Sequence, residues 1–370
     1  MEKLKKSVLI SGASIAGLTM AYWLNYYGYK VTVVEIGLKP RRGGAPIDVR
    51  GEALDCAHRM GVLDAIKKAK LPTEGLKFMN AENGVEGIML VDEICALSPG
   101  EDIELRREEL VDILYQNARE GINYIFDTRI IALEQDDEKV NITLRDGTTA
   151  FYDYVIGADG IHSGVRKMVF GEEDQFAFFL NFYFAVFTVD PGLGEKNFAL
   201  LYNTPNTMAT IHLYNKNFAD AVLAFRTPNP ASQVCRDIAL EKQLFLNAFE
   251  GIGWKVPQLL ESLKNSEDFY LDQGYQIKMP SWTKGRVALI GDAAYAPGFA
   301  TGMGSTLAIQ GATLLADEMA KNGDYNNAFR AYNEILRPIV EQLQAIAYPN
   351  LSLMLPETEE KIIERNKAGR

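Results

Sequence analysis

Short unbroken apolar runs alternate with segments of helical period along this chain. Ser7-Val8-Leu9-Ile10 predicts a buried parallel strand. Leu18 to Tyr27 predicts a helix that Gly28 stops, and Lys30 to Val34 predicts a second strand closed by Glu35. The same pattern returns twice. Asp153 to Ile156 is an apolar strand running into Gly157-Ala158-Asp159-Gly160, with Ser163, Val165 and Arg166 on a following helix. Trp282-Thr283-Lys284-Gly285-Arg286 is a turn, and Val287 to Ile290 is a strand ending in Gly291-Asp292-Ala293-Ala294. Pro297, Gly302 and Gly304 come next, and a long helical pattern begins near Ser305. Between these units, Phe176 to Phe187 and Phe198 to Arg226 are rich in aromatic and β-branched residues and predict antiparallel strands. Pro338 interrupts the C-terminal helical region, and Glu357 to Lys367 is a charged, helix-prone tail.

The first unit has the chemistry of a phosphate site. In Gly12-Ala13-Ser14-Ile15-Ala16-Gly17, Gly12 permits a tight bend and Gly17 lets the helix pack closely on the strand. The unpaired N–H groups at the helix start suit a pyrophosphate. Glu35 can accept hydrogen bonds from ribose hydroxyls, which favours FAD or NAD over NADP. Ser14 stands where the middle glycine of the fingerprint usually sits. At this point a strand–helix turn without a ligand remains the alternative.

Composition narrows the picture. The 370 residues carry a formal net charge of −11, which argues against nucleic acid as a partner. Cys56, Cys95 and Cys235 are scattered without metal spacing, as are His58, His162 and His212, so a reducing, cytoplasmic setting and no metal are expected. Lys3, Lys5 and Lys6 precede an uncharged run to Tyr29 that is similar to a signal peptide or short membrane span. Its internal glycines and serines, and the second strand that follows, argue against stable membrane insertion.

Taken together, the three units resemble the class A flavin-dependent monooxygenases, the family of para-hydroxybenzoate hydroxylase. Gly12 to Gly17 with Glu35, the Asp159-Gly160 motif and the Gly291-Asp292 motif occur in the family order. Gly43-Gly44-Ala45-Pro46-Ile47-Asp48-Val49-Arg50-Gly51, Asp159-Gly160-Ile161-His162-Ser163 and Trp282 to Arg286 are most similar to the tetracycline-inactivating members. The resemblance implies an α/β fold: a Rossmann-like FAD-binding domain, a second mixed β-sheet and helix substrate domain, and a C-terminal helix. It implies a discontinuous FAD domain (1–75, 101–170 and 276–330), a substrate domain (76–100 and 171–275) and a C-terminal helical segment (331–370) that bridges the two.

The implied cofactor contacts are Gly12, Ser14, Ile15, Ala16, Gly17, Glu35, Arg42, Arg107, Asp159, Asp292, Pro297, Gly302, Met303, Gly304 and Ser305. Asp292 would bind the ribityl hydroxyls. Gly302 and Gly304 would bring N–H groups to the flavin pyrimidine edge. Arg106 competes with Arg107 by one register step. Arg42 and Arg50 could contact the cofactor or an anionic substrate. Asp159 is linked in the family to both FAD and NAD(P)H, with a structural turn as the alternative. His212, Phe225, Tyr202 and Phe184 are candidate contacts for a flat apolar substrate, although core packing is the simpler role for the aromatics.

Two departures stand out: Tyr295 replaces the usual His, and Met303 replaces a frequent Gln, both expected at the flavin edge. The implied reaction uses NAD(P)H to reduce FAD and O2 added at the flavin C4a position as a hydroperoxide, with oxygen transferred to an aromatic or polycyclic phenol or enol. No side chain is assigned as acid or base. Gly302, Met303 and Gly304 only support the flavin. A monomer is expected. The alternatives are a flavin dehydrogenase or oxidase on the same fold, or a non-catalytic FAD- or polyketide-binding protein.

Overall fold

The computed structural model describes residues 5–41, 43–91, 102–228, 237–321 and 323–368. In chain order the elements are β1 (Ser7–Ser11), α1 (Ile15–Tyr26), β2 (Lys30–Val34), β3 (Ile47–Arg50), α2 (Glu52–Arg59), α3 (Leu63–Lys68), β4 (Gly75–Met79), β5 (Val85–Leu90), β6 (Asp102–Leu105), α4 (Arg107–Ala118) and β7 (Asn123–Ile125). Next come β8 (Ile130–Gln135), β9 (Val140–Leu144), β10 (Thr149–Tyr152), β11 (Tyr154–Gly157), α5 (Gly164–Val169), β12 (Ala177–Val189), β13 (Phe198–Thr204), β14 (Thr207–Asn215) and β15 (Phe218–Arg226). The remainder is α6 (Ile238–Ala248), α7 (Val256–Asn265), β16 (Tyr270–Ile277), β17 (Thr283–Lys284), β18 (Val287–Leu289), α8 (Asp292–Tyr295), α9 (Gly304–Lys321), α10 (Tyr325–Met354) and α11 (Glu359–Ala368).

The nucleotide half is a six-stranded sheet in the order β17-β18-β11-β1-β2-β7. Its centre is parallel, with β1 between β11 and β2. The centres of β1, β11 and β18 are apolar because α1 and the three-stranded sheet β10-β9-β8 both pack into their core, so these side chains have no wet side. The strand ends of β1, β11 and β18 lie side by side, and the three glycine-bearing turns that follow them therefore open on one edge of the sheet.

The second half is a seven-stranded sheet, β16-β12-β15-β14-β13-β4-β5. β4 and β5 enter it from the early insertion, with β4 parallel to β13. Alternation along its strands makes two faces. Tyr183, Ala185, Phe187, Tyr202, Leu223 and Phe225 pack against Phe245 and Phe249 of α6 and Leu259 and Leu263 of α7. Phe182, Phe184, Val186, Met208, Val222 and Ala224 turn the other way, toward Ala300, Leu351 and Leu355. α10 joins the halves: Tyr332, Leu336 and Val340 belong to the nucleotide-half core, and Leu351 to the second sheet's core. Contrary to the expectation from Pro338, this helix is continuous, with Pro338 and Pro349 both inside it. Packing on both sides outweighs the lost backbone bonds. Among the described residues no helix is long and apolar enough to cross a membrane.

Candidate active site

The site begins at the turn after β1. Gly12 has φ +107°, and a Cβ there would lie 2.4 Å from Ala158 O, so only glycine fits. A Cβ on Gly17 would lie 1.9 Å from Gly12 O; this closeness lets α1 start directly on the strand end. Leu18 N–H donates to Ser14 O at 2.8 Å, and the helical pattern leaves the N–H groups of Ile15, Ala16 and Gly17 over. Ser14 makes no side-chain cap to them. Its hydroxyl instead accepts from Arg107 Nη2 at 2.7 Å. Glu35 is buried, with Oε2 accepting from Ala13 N–H (2.7 Å) and Oε1 from Gly37 N–H (2.9 Å). Each carboxylate oxygen retains a second lone pair for a hydroxyl.

The second helix start, that of α9, comes to the same place. Gly291 separates them: a Cβ there would lie 2.9 Å from Ala16 Cβ on α1 and 3.9 Å from Ala308 Cβ on α9. Trp23 Nε1 donates to Thr313 Oγ1 at 2.9 Å, and Tyr27 Oη to Asp317 at 2.6 Å, which fixes the two helices along their length. Gly302 N–H donates to Phe299 O and Met303 N–H to Thr301 Oγ1, so these groups are spent within the turn. Leu307 N–H donates to Met303 O, leaving the N–H groups of Gly304, Ser305 and Thr306 as the orphans of this start. Ser305 Oγ donates to Asp48 O at 2.6 Å, tying α9 to β3. Pro297 is buried, its carbonyl accepting from Gln276 Nε2 at 2.8 Å.

Between the two starts runs a groove of opposed charges. Arg107, at the head of α4, also donates to Arg41 O and Gly43 O, both at 3.2 Å. Burial and the Arg41 charge lower its pKa to about 10, against the pull of Tyr270, Asp292 and Glu35. Asp292, at the head of α8, has an exposed side chain. Desolvation by the protein around it and the nearby Asp272 push its pKa up to about 6, with Arg107 and Arg41 opposing. The Arg41 guanidinium sits 4.3 Å over the Tyr270 ring, reaching from the nucleotide half to β16. Beside it, Gly43, Gly44, Arg106, Arg107, Val186, Tyr214, Phe218, Asp220 and Tyr270 line a cavity of about 320 Å³ between the two halves. A larger open cleft of about 610 Å³, lined by Arg330, Asn333 and Arg337, shares no residue with it.

The structure separates the candidates named from the sequence. Gly12 to Gly17, Glu35, Arg107, Asp292 and the 302–305 turn gather on one groove. Arg106 turns away from Arg107 and lies 3.9 Å over the Phe218 ring, paired with Glu108. Arg50 is held between Asp48 (2.8 Å) and Asp102 (2.6 Å). Arg42 lies outside the described residues, as do Cys95 and Cys235. Asp159 is half-buried and spends its carboxylate at the start of α5, accepting from Ser163 Oγ and from Val165 N–H at 3.1 Å. Burial raises its pKa.

Phe225 and Tyr202 are corrected to core residues. Phe225 stacks on Tyr183 at 5.7 Å and meets Phe245 at 5.2 Å, and Tyr202 lies 5.5 Å from Trp254, all on the face covered by α6 and α7. Strand alternation leaves Phe184 and His212 on the opposite face, toward the groove. Phe184 stacks on Phe299 at 4.2 Å.

Tyr295 is also corrected: it does not reach the flavin side. It is the last residue of α8, buried with its hydroxyl 3.2 Å from Tyr332 Oη, and points at Gly311 on α9, where a Cβ would lie 2.0 Å from its hydroxyl. Arg41, Asp48, Tyr270 and Asp220 were missed. The Arg41–Arg42 doublet and the Asp48 acid beside the double glycine were visible signals, whereas nothing local marks Tyr270 or Asp220.

This groove fits FAD. It offers two sets of orphan N–H groups, a cation at Arg107 and acids at both Glu35 and Asp292. Gly12, Gly17 and Gly291 stand where a Cβ would collide with the adjoining elements and push them apart.

Comparison with known proteins agrees with this geometry. The FAD binding domain family matches residues 5–346. A flavin-dependent monooxygenase from an unknown prokaryotic organism is 36% identical over 348 residues, covering 92% of this chain and 88% of that protein. The crystal structure of tetracycline destructase Tet(55) superposes with a TM-score of 0.87 at 34% identity, covering 100% of this chain and 96% of that one. That of tetracycline destructase Tet(51) gives 0.87 at 32%, covering 99% and 95%. With its two helix starts converging on one groove and this likeness along its whole length, the chain belongs to the FAD binding domain family and, within it, to the class A flavin-dependent monooxygenases.

Proposed function

We propose that this enzyme uses NAD(P)H and O2 to hydroxylate a polycyclic aromatic substrate bearing a phenol or enol, in the manner of a tetracycline-modifying oxygenase. Overall, substrate C–H, O2, NAD(P)H and a proton would give substrate C–OH, water and NAD(P)+. The observation that carries the reading is the convergence of the α1 and α9 starts on a groove that opens into an aromatic-walled cavity at the second sheet. The 32–34% identity to tetracycline destructases supports the polycycle.

When bound, FAD supplies the redox chemistry and the activation of O2. The orphan N–H groups of Ile15, Ala16 and Gly17 and the Arg107 cation would hold the pyrophosphate, and Glu35 a ribose hydroxyl. Asp292 would orient the ribityl chain. The N–H groups of Gly304, Ser305 and Thr306 would stabilise negative charge on the pyrimidine edge. The packed rings of Phe184, Phe299 and Tyr270 would wall the approach and exclude water.

The test is loss of tetracycline absorbance with enzyme, FAD and NADPH under air, alongside a panel of phenols scored for stimulated NADPH oxidation. Oxidation of NADPH that no aromatic compound stimulates, or anaerobic flavin reduction by the substrate itself, would replace the monooxygenase reading with an oxidase or dehydrogenase.

A further inference from the structure

We infer that Asp220, Thr188 and Asp268 form a proton path that carries the hydroxyl proton of a bound phenol or enol from the cavity to solvent. This rests on the functional reading above and deepens it, since it names the ionisable hydroxyl of the substrate as the group the sheet addresses.

Asp220 lies on β15, in register with Thr188 on β12 and His212 on β14, on the face turned toward the groove. It is only 8% exposed, yet it lines the cavity between the halves. Thr188 Oγ1 lies 3.1 Å from Asp220 Oδ1 and also in hydrogen-bond contact with Asp268 Oδ2. A hydroxyl carries one proton and donates to one carboxylate at a time. Asp268 also accepts Thr188 N–H, at 3.3 and 3.4 Å, and it is exposed to water, so it is the partner suited to hold the charge. The Thr188–Asp220 contact then has two forms. Thr188 donates when Asp220 is ionised, and the Asp220 carboxyl donates when it is protonated.

The other groups facing Asp220 do not neutralise it. Tyr214 of β14 hydrogen-bonds to it, and Arg106 attracts it from the α4 start but is itself paired with Glu108 and stacked over Phe218. Burial lowers the pKa of His212, with Glu104 of β6 opposing. Burial pushes the Asp220 pKa up to about 6, which Thr188, Tyr214 and Arg106 oppose and Asp268 reinforces. A buried carboxylate near neutrality is matched to taking a proton from an acidic hydroxyl.

The step balances without redox change. The substrate O–H bond breaks, its electron pair stays on oxygen, and the proton goes to Asp220. Asp220 passes a proton to Thr188 Oγ as the hydroxyl's own proton moves to Asp268 Oδ2 and then to water. The substrate oxyanion left behind donates electron density into the ring that is to be oxygenated.

The test has two arms on holoenzyme whose flavin content verifies folding. The first needs no substrate: infrared titration of protonated carboxyl groups. It should show a band component titrating near pH 6, beside those of Asp292 and Asp48, that Asp220→Asn removes and that Thr188→Val and the exposed Asp268→Asn each displace by roughly half a pH unit. No such band, or one that Thr188→Val leaves in place, overturns the path. The second arm binds tetracycline anaerobically and follows ionisation of its hydroxyls by absorbance. Bound ligand should ionise at lower pH than free ligand, and Asp220→Asn should cut that advantage roughly tenfold. Equal ionisation on wild type and Asp220→Asn overturns the path. If wild type binds no tetracycline while the carboxyl band behaves as stated, the polycycle reading fails and the proton path stands.

Discussion

Replacing Arg107 by methionine keeps the apolar stem and removes the cation that spans the groove. Three hydrogen bonds go with it: one to Ser14 Oγ in a part-buried setting and two to the carbonyls of Arg41 and Gly43 at the surface. The part-buried bond is worth about 1.5 kcal/mol and each surface bond about 0.5, so the apoprotein should lose ~2–3 kcal/mol, a Tm drop of several degrees. Cofactor affinity should fall by a comparable amount. A charge-assisted contact to phosphate contributes ~1.5–3 kcal/mol, so the FAD Kd should rise roughly 10- to 150-fold. Fluorescence-quenching titration of apoprotein with FAD reads this directly. Arg106→Met is the control, because Arg106 lies over Phe218 on the second sheet; its FAD Kd should stay within about threefold of wild type. An Arg107→Met protein that binds FAD within threefold of wild type would refute the groove assignment.

Gly17→Ala places a Cβ 1.9 Å from Gly12 O, so α1 must move by more than 1 Å to restore ordinary contact, and the purified protein should lack flavin absorbance at 450 nm while remaining folded by circular dichroism. Gly311→Ala collides with the Tyr295 hydroxyl, and Tyr295→Phe should recover at least ~1 kcal/mol of that damage in a double-mutant cycle read by urea unfolding. Tyr295→Phe alone should cost ~0.5–1.5 kcal/mol and leave FAD affinity unchanged, because Tyr332 keeps its bond to Leu289 O. Burial raises the Asp48 pKa from the ordinary 3.8 to about 7, against Arg50. A carboxyl raised in the folded state favours folding below its unfolded value, and that advantage is lost as pH climbs from 4 to 7. The ceiling is ~4 kcal/mol and, with the side chain one-fifth exposed, about 2 is expected. Asp48→Asn should therefore flatten the apoprotein's stability between pH 4 and 7, and an unchanged profile counts against the buried carboxyl.

Much of the nucleotide half was legible in the sequence because its determinants are local. The strand, the glycine turn, the helix and the closing acid lie within 29 residues, Ser7 to Glu35, and each step is fixed by backbone sterics or by burial of a continuous apolar run. The second sheet was legible as strands but not as a wall. Period-two alternation says that Phe184 and Phe225 face opposite ways, yet it cannot say which face α6 and α7 will cover. Burial by distant helices decided that Phe225 and Tyr202 are core and that Phe184 faces the groove.

The same limit explains Tyr295 and Pro338. Motif position suggested that Tyr295 touches the flavin edge, but its direction is set by the space that Gly311 leaves on another helix. Pro338 breaks an isolated helix, whereas α10 is held continuous by two cores. Composition and local spacing thus determined the cofactor cradle, where chemistry depends on the backbone. Only tertiary packing could bring Arg41 to Tyr270, and Asp220 to Thr188 and Asp268. Those contacts join residues far apart in the chain, and their energies depend on how deeply each charge is removed from water.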